Sequence, residues 1–380
     1  MHSAKSKERA DASGVAKSRR DEVLLSNVEA TQETVERKHT VPEADLTRAR
    51  ELAAELVAEL ADMNNGDLVG DVIDNALKLL RDRTNRGDIK LIDKSFKELR
   101  YALRVFSPYR DTRKVSIFGS ARTPEGHPDY ETAAAFGRAM AEAGWMIITG
   151  AGGGIMEAGH VGADVESSFG LNISLPFEQS ANEVIHGDTK LVDFKYFFTR
   201  KLMFMRTSHA IVLCPGGFGT MDEGFEALTL VQTGKSVPVP IVLLEKPGGA
   251  YWKAWDEYVR GHLLAGGLIS PEDTSLYRIA ETVEDAVDEC RRFYRNYHSL
   301  RYTRNSLLLR LQQKPTEAQL DEIREKFADI AVKDDWRTSG PLRIERNEPD
   351  LRHLTRLAFT FNRKDHGRLR QLIDYLNGLV

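Results

Sequence analysis

Residues 210–235 read AIVLCPGGFGTMDEGFEALTLVQTGK. The first five, Ala210-Ile211-Val212-Leu213-Cys214, have the length and apolar composition of a strand buried in a parallel sheet. Pro215-Gly216-Gly217-Phe218-Gly219-Thr220 is a turn whose tightness calls for glycine. From Met221 the pattern becomes helical, and Gly234 stands where a helix stop belongs. Strand, glycine loop and helix N-terminus together make an anion site, because loop amides and the helix dipole both face outward. Bare backbone at Gly216, Gly217 and Gly219 lets a phosphate come close. Asp222 and Glu223 follow at once, and a phosphate cradle has no need of them, so chemistry beside the anion is expected. Glu223 has two readings. Thr220-Met221-Asp222-Glu223 fits the T-x-x-E capping box, with the glutamate folded back on the backbone; the other reading is a catalytic carboxylate. Asp222 reads as a first-turn acid that complements the dipole.

Outward from this stretch, strands alternate with helices from Lys114 onward, the pattern of a doubly wound parallel sheet. Strands are expected at 115–118, 145–149, 171–175, 210–214, 239–244 and near 276–279. Helices are expected at 130–143, 194–208, 251–263 and 283–297. Ligands of such sheets bind beyond the carboxyl ends of the strands. Four segments fall there: Gly119-Ser120, 150–157, 175–183 and 215–223. The loop Gly150-Ala151-Gly152-Gly153-Gly154 begins like G-x-G-x-x-G, but Ile155 replaces the third glycine and the loop follows the second strand. The acid past the next strand, Glu178, lies beyond Pro176. A mononucleotide suits this better than a dinucleotide. The helix over 194–208 carries Arg200-Lys201 among Phe197, Phe198, Leu202, Met203 and Met205. So apolar a helix reads as largely buried core. Its two cations are either a snorkelling surface pair or groups that serve a cavity.

The run Pro215 to Glu223 matches the signature PGGxGTxxE in full, and Arg200-Lys201 matches a second signature. On these residues the chain resembles the "lonely guy" (LOG) family, often labelled lysine decarboxylase; the resemblance covers about 114–298. It implies a Rossmann-like nucleotide-binding domain. It also implies, as in many members, hydrolysis of the N-glycosidic bond of a nucleoside 5′-monophosphate to free base and ribose 5-phosphate. The substrate would be a cytokinin riboside monophosphate or an AMP-like purine nucleotide. Carried onto this sequence, Arg200 and Glu223 are the catalytic residues. Gly216, Gly217, Phe218, Gly219, Thr220 and Asp222 would line the phosphate loop, and Gly119, Ser120, Gly152, Gly153, Met156 and Glu157 the neighbouring loops. Lys201 and Thr229 are implied substrate contacts, and Glu183 or Glu178 would touch ribose or base. The resemblance requires no metal or organic cofactor and suggests a homo-oligomer, at least a dimer. Two competitors stand beside it. One is a nucleotide sensor or carrier that uses the same loops without turnover. The other is a decarboxylase, which needs a Schiff-base lysine and a pyridoxal phosphate site, neither visible in the sequence.

The 380 residues are 41% hydrophobic and 29% charged, with a formal net charge of −4. That balance gives no case for nucleic-acid or membrane binding. Two cysteines, Cys214 and Cys290, argue against a disulfide framework and for a reducing cytoplasm. No apolar signal core or membrane-length run is present. Residues 1–42 read as a disordered tail, 43–107 as a helical extension and 108–298 as the nucleotide-binding domain. Residues 299–380 read as a small α+β appendage, with strands at 301–311, 341–346 and 354–362 and helices at 316–330 and 365–379. The histidines lack zinc-ligand spacing; His209 and Cys214 read as structural.

Overall fold

The computed structural model describes residues 43–60, 62–174 and 181–380. The expected tail over 1–42, together with Pro176 and Glu178, lies outside the described residues. The chain divides into two compact units, Met1–Phe96 and Lys97–Val380. In the first, helices α1 (Glu43–Leu60) and α2 (Gly66–Arg81) approach closely at Gly70, where a Cβ would lie 2.8 Å from a Val57 methyl. Helix α3 (Arg86–Phe106) follows.

The second unit is built on a seven-stranded, wholly parallel sheet in the order β4-β3-β2-β1-β5-β6-β7. Its strands are β1 (Lys114–Phe118), β2 (Met146–Thr149), β3 (Ser168–Ile173), β4 (Leu191–Phe194), β5 (Ala210–Leu213), β6 (Ile241–Leu244) and β7 (Tyr277–Ala280). The chain winds outward from β1 to β4, then returns to place β5 beside β1. That pair is the topological switch point, where the loops leaving two adjacent strands part and open a crevice. Successive strand residues face opposite sides. Val115, Ile117, Val212 and Val242 join one buried cluster with α4 (Pro128–Glu142) and α9 (Val283–Arg292). Phe118, Ile148, Ile211 and Leu243 join another with α6 (Phe197–Thr207) and α7 (Phe218–Gln232). Both faces being covered explains why the strands read as unbroken apolar runs. The α/β, doubly wound fold expected from the sequence is the one observed.

A four-stranded antiparallel sheet, β10-β11-β9-β8, completes the unit: β8 (Tyr297–Tyr302), β9 (Leu307–Leu311), β10 (Arg337–Ser339) and β11 (Thr355–Phe359). Helices α10 (Glu317–Lys326) and α11 (His366–Gly378) accompany it. Leu307, Leu309, Leu357 and Phe359 join the same buried cluster as β1 and α4.

Some expected elements differ. The strand expected over 301–311 is a hairpin, because the polar stretch Thr303 to Ser306 turns the chain between β8 and β9. The strand expected at 341–346 is a short 3-10 turn, Arg343–Glu345. It presents the Glu345 carboxylate to the buried guanidinium of Arg356 (Nε–Oε2 3.1 Å) and to Arg310 (Nε–Oε1 2.8 Å). Strand β4 has no counterpart in the sequence reading; with four residues and an Asp193 in it, its period-2 signal is too short to see.

Helices α4 and α5 (Ile155–Ala163) touch backbone to backbone: a Cβ on Gly162 would lie 2.0 Å from the Ala134 carbonyl oxygen. Main chain cannot step aside as a flexible side chain would. Gly162→Ala is expected to cost about 3 kcal/mol or more, read as a fall in the urea midpoint. Gly340→Ala, with nothing within 4 Å of the added methyl, is the control and leaves the midpoint near wild type.

Candidate active site

The crevice is assembled by the main chain of Ser120, just past β1. Its N–H donates to Pro215 O (3.1 Å), and its carbonyl accepts from Ile155 N (3.0 Å). The loops after β1, β2 and β5 are thereby tied together. Two glycines are required for this approach. A Cβ on Gly154, at φ +64°, would lie 2.4 Å from Ser120 O, and one on Gly216 would lie 2.9 Å from Ser120 N and 2.1 Å from Thr220 Oγ1. Gly119 is held to the same packing by Ile155.

Helix α7 starts at Phe218 with Gly217 as its N-cap, and no side chain caps it. The capping-box reading is therefore overturned. Thr220 is not the N-cap: it lies inside the first turn, buried, with its hydroxyl beside Gly216. The first bond of α7 runs from Met221 N to Gly217 O (3.1 Å), so the amides of Phe218, Gly219 and Thr220 lie ahead of any helical acceptor. Added Cβ atoms at Gly217 and Gly219 would meet nothing within 4 Å, so this end of the loop is open to a ligand. Phe218 is 96% exposed at its rim.

Glu223 stands one turn further on, half-buried and without a hydrogen bond among the described residues. Burial pushes its carboxyl up to about 7, although Lys201 and Arg200 pull it back down and Glu226 and Asp222 push it further. Lys201 is clamped between two carboxylates of α7, Asp222 (2.7 Å) and Glu226 (2.6 Å). Burial opposes its charge, but these two partners outweigh burial and hold its pKa above the ordinary lysine value. Lys201 thus ties α6 to α7, a job the sequence did not suggest.

Arg200 points into the crevice. Its Nε donates to Leu171 O at 2.8 Å, its Cζ lies 5.4 Å from the centroid of the Phe204 ring, and a Cβ on Gly150 would lie 2.3 Å from its Nη2. Arg200 and Glu223 share no hydrogen bond or ion pair among the described residues; Arg200 acts on Glu223 through its charge. The N-terminus of α6 is fixed by buried Glu98, which accepts from Lys195 N (2.8 Å) and Thr199 Oγ1 (2.7 Å). The helix is not the buried core its composition suggested. Met203 and Phe204 are buried, but Phe197, Phe198 and Leu202 are 51, 53 and 50% exposed.

The Gly150 loop is shaped by side chains that the sequence did not single out. His160, fully buried on α5, meets Thr149 Oγ1 and Phe169 O at 3.0 Å and the Asn182 amide. Asn182 donates to Gly152 O at 3.0 Å. Burial lowers the His160 pKa, so the ring stays neutral and acts as a strut. Tyr251 is a second omission; its hydroxyl donates to Gly216 O at 2.5 Å. A lone histidine, asparagine or tyrosine carries no spacing signal, and only the fold brings these groups to the loops.

Among the remaining expected residues, Met156 packs on Gly150 and Gly152, and half-buried Glu157 lies beside Gly153. Glu183 and Thr229 are exposed and make no side-chain hydrogen bond among the described residues. Thr229 stands one turn past Glu226, about 15 Å along the helix axis from Gly219. Cys214 is buried, and His209, held to about 4 by burial, accepts from Lys114 N at 3.2 Å. Among the described residues, no three His, Cys, Asp or Glu side chains are grouped to hold a metal, and no helix is long and apolar enough to cross a membrane.

A family model described as "possible lysine decarboxylase" matches residues 149–290, a span that holds the crevice loops after β2 and β5 and helices α6 and α7. The cytokinin riboside 5′-monophosphate phosphoribohydrolase of Mycobacterium tuberculosis is 30% identical over 167 residues, covering 42% of this chain and 84% of that protein. The chain belongs to the LOG family. A second relative of the same name, from Rhodococcoides fascians, is 27% identical across 49% of this chain and 93% of its own. Two solved structures overlay on under half of this LOG chain. They are the Moco carrier protein of Chlamydomonas reinhardtii (21% identity, 46% of this chain and 93% of that one, TM-score 0.33) and the molybdenum cofactor binding protein of Rippkaea orientalis (18%, 47% and 94%, TM-score 0.33).

In this LOG crevice, the Lys201 charge favours ionised Glu223. Lys201→Met removes it and leaves Asp222 and Glu226 uncompensated. The Glu223 titration is expected to move above its wild-type position near pH 7, as followed by carboxyl NMR. A separate consequence concerns stability. The folded state raises the Glu223 pKa, so the native form is increasingly penalised as pH climbs from the ordinary glutamate value of 4.5 to about 7, and the full penalty persists above that. Glu223→Gln is expected to melt higher than wild type at pH 8 and to match it at pH 4, where both side chains are neutral.

Proposed function

We propose that this chain hydrolyses the N-glycosidic bond of a nucleoside 5′-monophosphate, a cytokinin riboside monophosphate or AMP-like purine nucleotide, to free base and ribose 5-phosphate. One observation carries the reading: a half-buried carboxyl with no hydrogen bond among the described residues, poised near neutrality, one helical turn beyond an uncapped glycine loop. The names of the related phosphoribohydrolases support it.

The phosphate sits on the amides of Gly217, Phe218 and Gly219, held by backbone donors and the α7 dipole. This remote contact fixes the sugar over Glu223 and supplies orientation. As the C1′–N bond breaks, positive charge develops on the ribose, as in glycoside hydrolysis. Ionised Glu223 stabilises that charge and takes a proton from the attacking water. The water oxygen bonds to C1′, and the proton leaves with the base nitrogen. Arg200 holds the β3 end and the Gly150 loop in place and biases Glu223 toward its ionised form. A carboxyl that titrates near 7 suits this work, since it gains and loses a proton readily at neutral pH.

Decarboxylation through a Schiff base fits Lys201 poorly. That chemistry uses a lysine whose pKa is lowered, and Lys201 is held the other way by Asp222 and Glu226.

The test incubates the protein with AMP and with isopentenyl-AMP and assays free base and ribose 5-phosphate. Glu223→Gln is expected to cut kcat by roughly 100-fold or more while nucleotide binding stays measurable. Wild-type turnover by that variant would remove Glu223 from the mechanism; binding of nucleotide by wild type without turnover would make the protein a carrier. The acting form is the carboxylate, so kcat/KM is expected to rise with pH through an apparent pKa of about 7 and to fall away below it.

A further inference from the structure

A cavity of about 540 Å³ lies in the C-terminal sheet, away from the glycine loops. Its walls come from the β8–β9 turn, from β10 and the segment before it, and from the chain just past β11. Four cations line it, Arg304, Lys333, Arg337 and Arg363, against a single acid, Asp335. That acid is already occupied: its two oxygens accept from Thr360 N (2.8 Å) and Thr360 Oγ1 (2.6 Å), and Oδ2 lies 3.7 Å from Arg337 Nη1.

The cations divide into two kinds. Arg337 donates to the Asp335 carbonyl (3.1 Å) and to Ser306 Oγ (3.4 Å), and Arg363 donates to Thr303 O (3.0 Å). These two brace the walls. Arg363 does so from φ +61°, a conformation that arginine rarely adopts. The side chains of Arg304 and Lys333 make no hydrogen bond or ion pair among the described residues. The four cations are exposed round one concave space, and on a chain of net charge −4 general basicity does not account for their grouping. Their mutual repulsion is relieved by an anion between them. The volume is that of a small-ligand site rather than a docking face for a macromolecule.

We propose that this cavity binds a small polyanion of the phosphate-ester class carrying at least two anionic groups, such as a diphosphate. One charge is too few for the excess of cations. The guanidinium groups suit phosphate oxygens in geometry, and the hydroxyl of Ser306 stands beside them as a further donor. This site is independent of the reaction assigned to the glycine loop.

Calorimetry on the full chain with inorganic pyrophosphate tests it, with orthophosphate in parallel. Pyrophosphate is expected to bind more tightly than orthophosphate and to weaken as salt is raised. The double variant Arg304→Ala/Lys333→Ala removes only side chains that brace nothing, so its melting temperature should match wild type. Its affinity for pyrophosphate is expected to fall about 100-fold, two charged hydrogen bonds at roughly tenfold each. Arg304→Lys should lose less than Arg304→Ala. Unchanged affinity in the double variant would assign the binding to the glycine loop and overturn the proposal. So would the absence of binding at low salt, or displacement of pyrophosphate by a tighter-binding single-stranded oligonucleotide.

Discussion

The backbone of one serine holds the crevice together. Ser120 offers its N–H to the loop after β5 and its carbonyl to the start of α5. Two glycines, Gly154 and Gly216, let those neighbours come within bonding distance. With either donor or acceptor displaced, the glycine loop, the Gly150 loop and α7 would no longer face one another. The switch point between β1 and β5 makes this possible, because only there do loops from two adjacent strands diverge and leave room between them.

Electrostatics then act on a frame already fixed. A carboxyl half removed from water resists ionisation, and Glu223 has no hydrogen bond among the described residues to offset that cost. Two cations on α6 offset part of it. They act at different removes: Lys201 is consumed by Asp222 and Glu226, while Arg200 is spread between Leu171 O, Phe204 and the edge of Gly150. The balance leaves Glu223 near neutrality rather than fully charged or fully protonated. Helix α6 can hold these cations steadily because buried Glu98 anchors its first turn.

The C-terminal sheet follows a different rule. Its buried charges are fully paired where they support the fold, as with Glu345 between Arg310 and Arg356, whose guanidiniums hold its carboxyl down to about 2. The exposed cations Arg304 and Lys333 at the cavity have no such side-chain partner among the described residues. A buried charge without a partner is expensive, so the contrast within one sheet separates scaffold from surface.

Several features were legible in the order of residues alone. The apolar runs around Val115, Ile147 and Val212 fixed a parallel sheet, since strands covered on both faces need no alternation. The glycines after Cys214 marked a helix N-terminus open to an anion. The Arg200-Lys201 and PGGxGTxxE signatures pointed to the family. What the tertiary structure alone decided was which reading of each polar residue held. Thr220 and Glu223 had the spacing of a cap, but the helix begins three residues earlier than that cap requires, at Phe218, and leaves the carboxyl without a hydrogen bond among the described residues. Arg200 and Lys201 are neighbours in sequence, yet one faces the end of β3 and the other two acids of α7. His160, Asn182 and Tyr251 carry no local pattern, because their partners lie on loops far along the chain. Spacing along a chain records local geometry; which charge meets which carboxylate depends on where separate strands end, and that is settled only when the sheet closes.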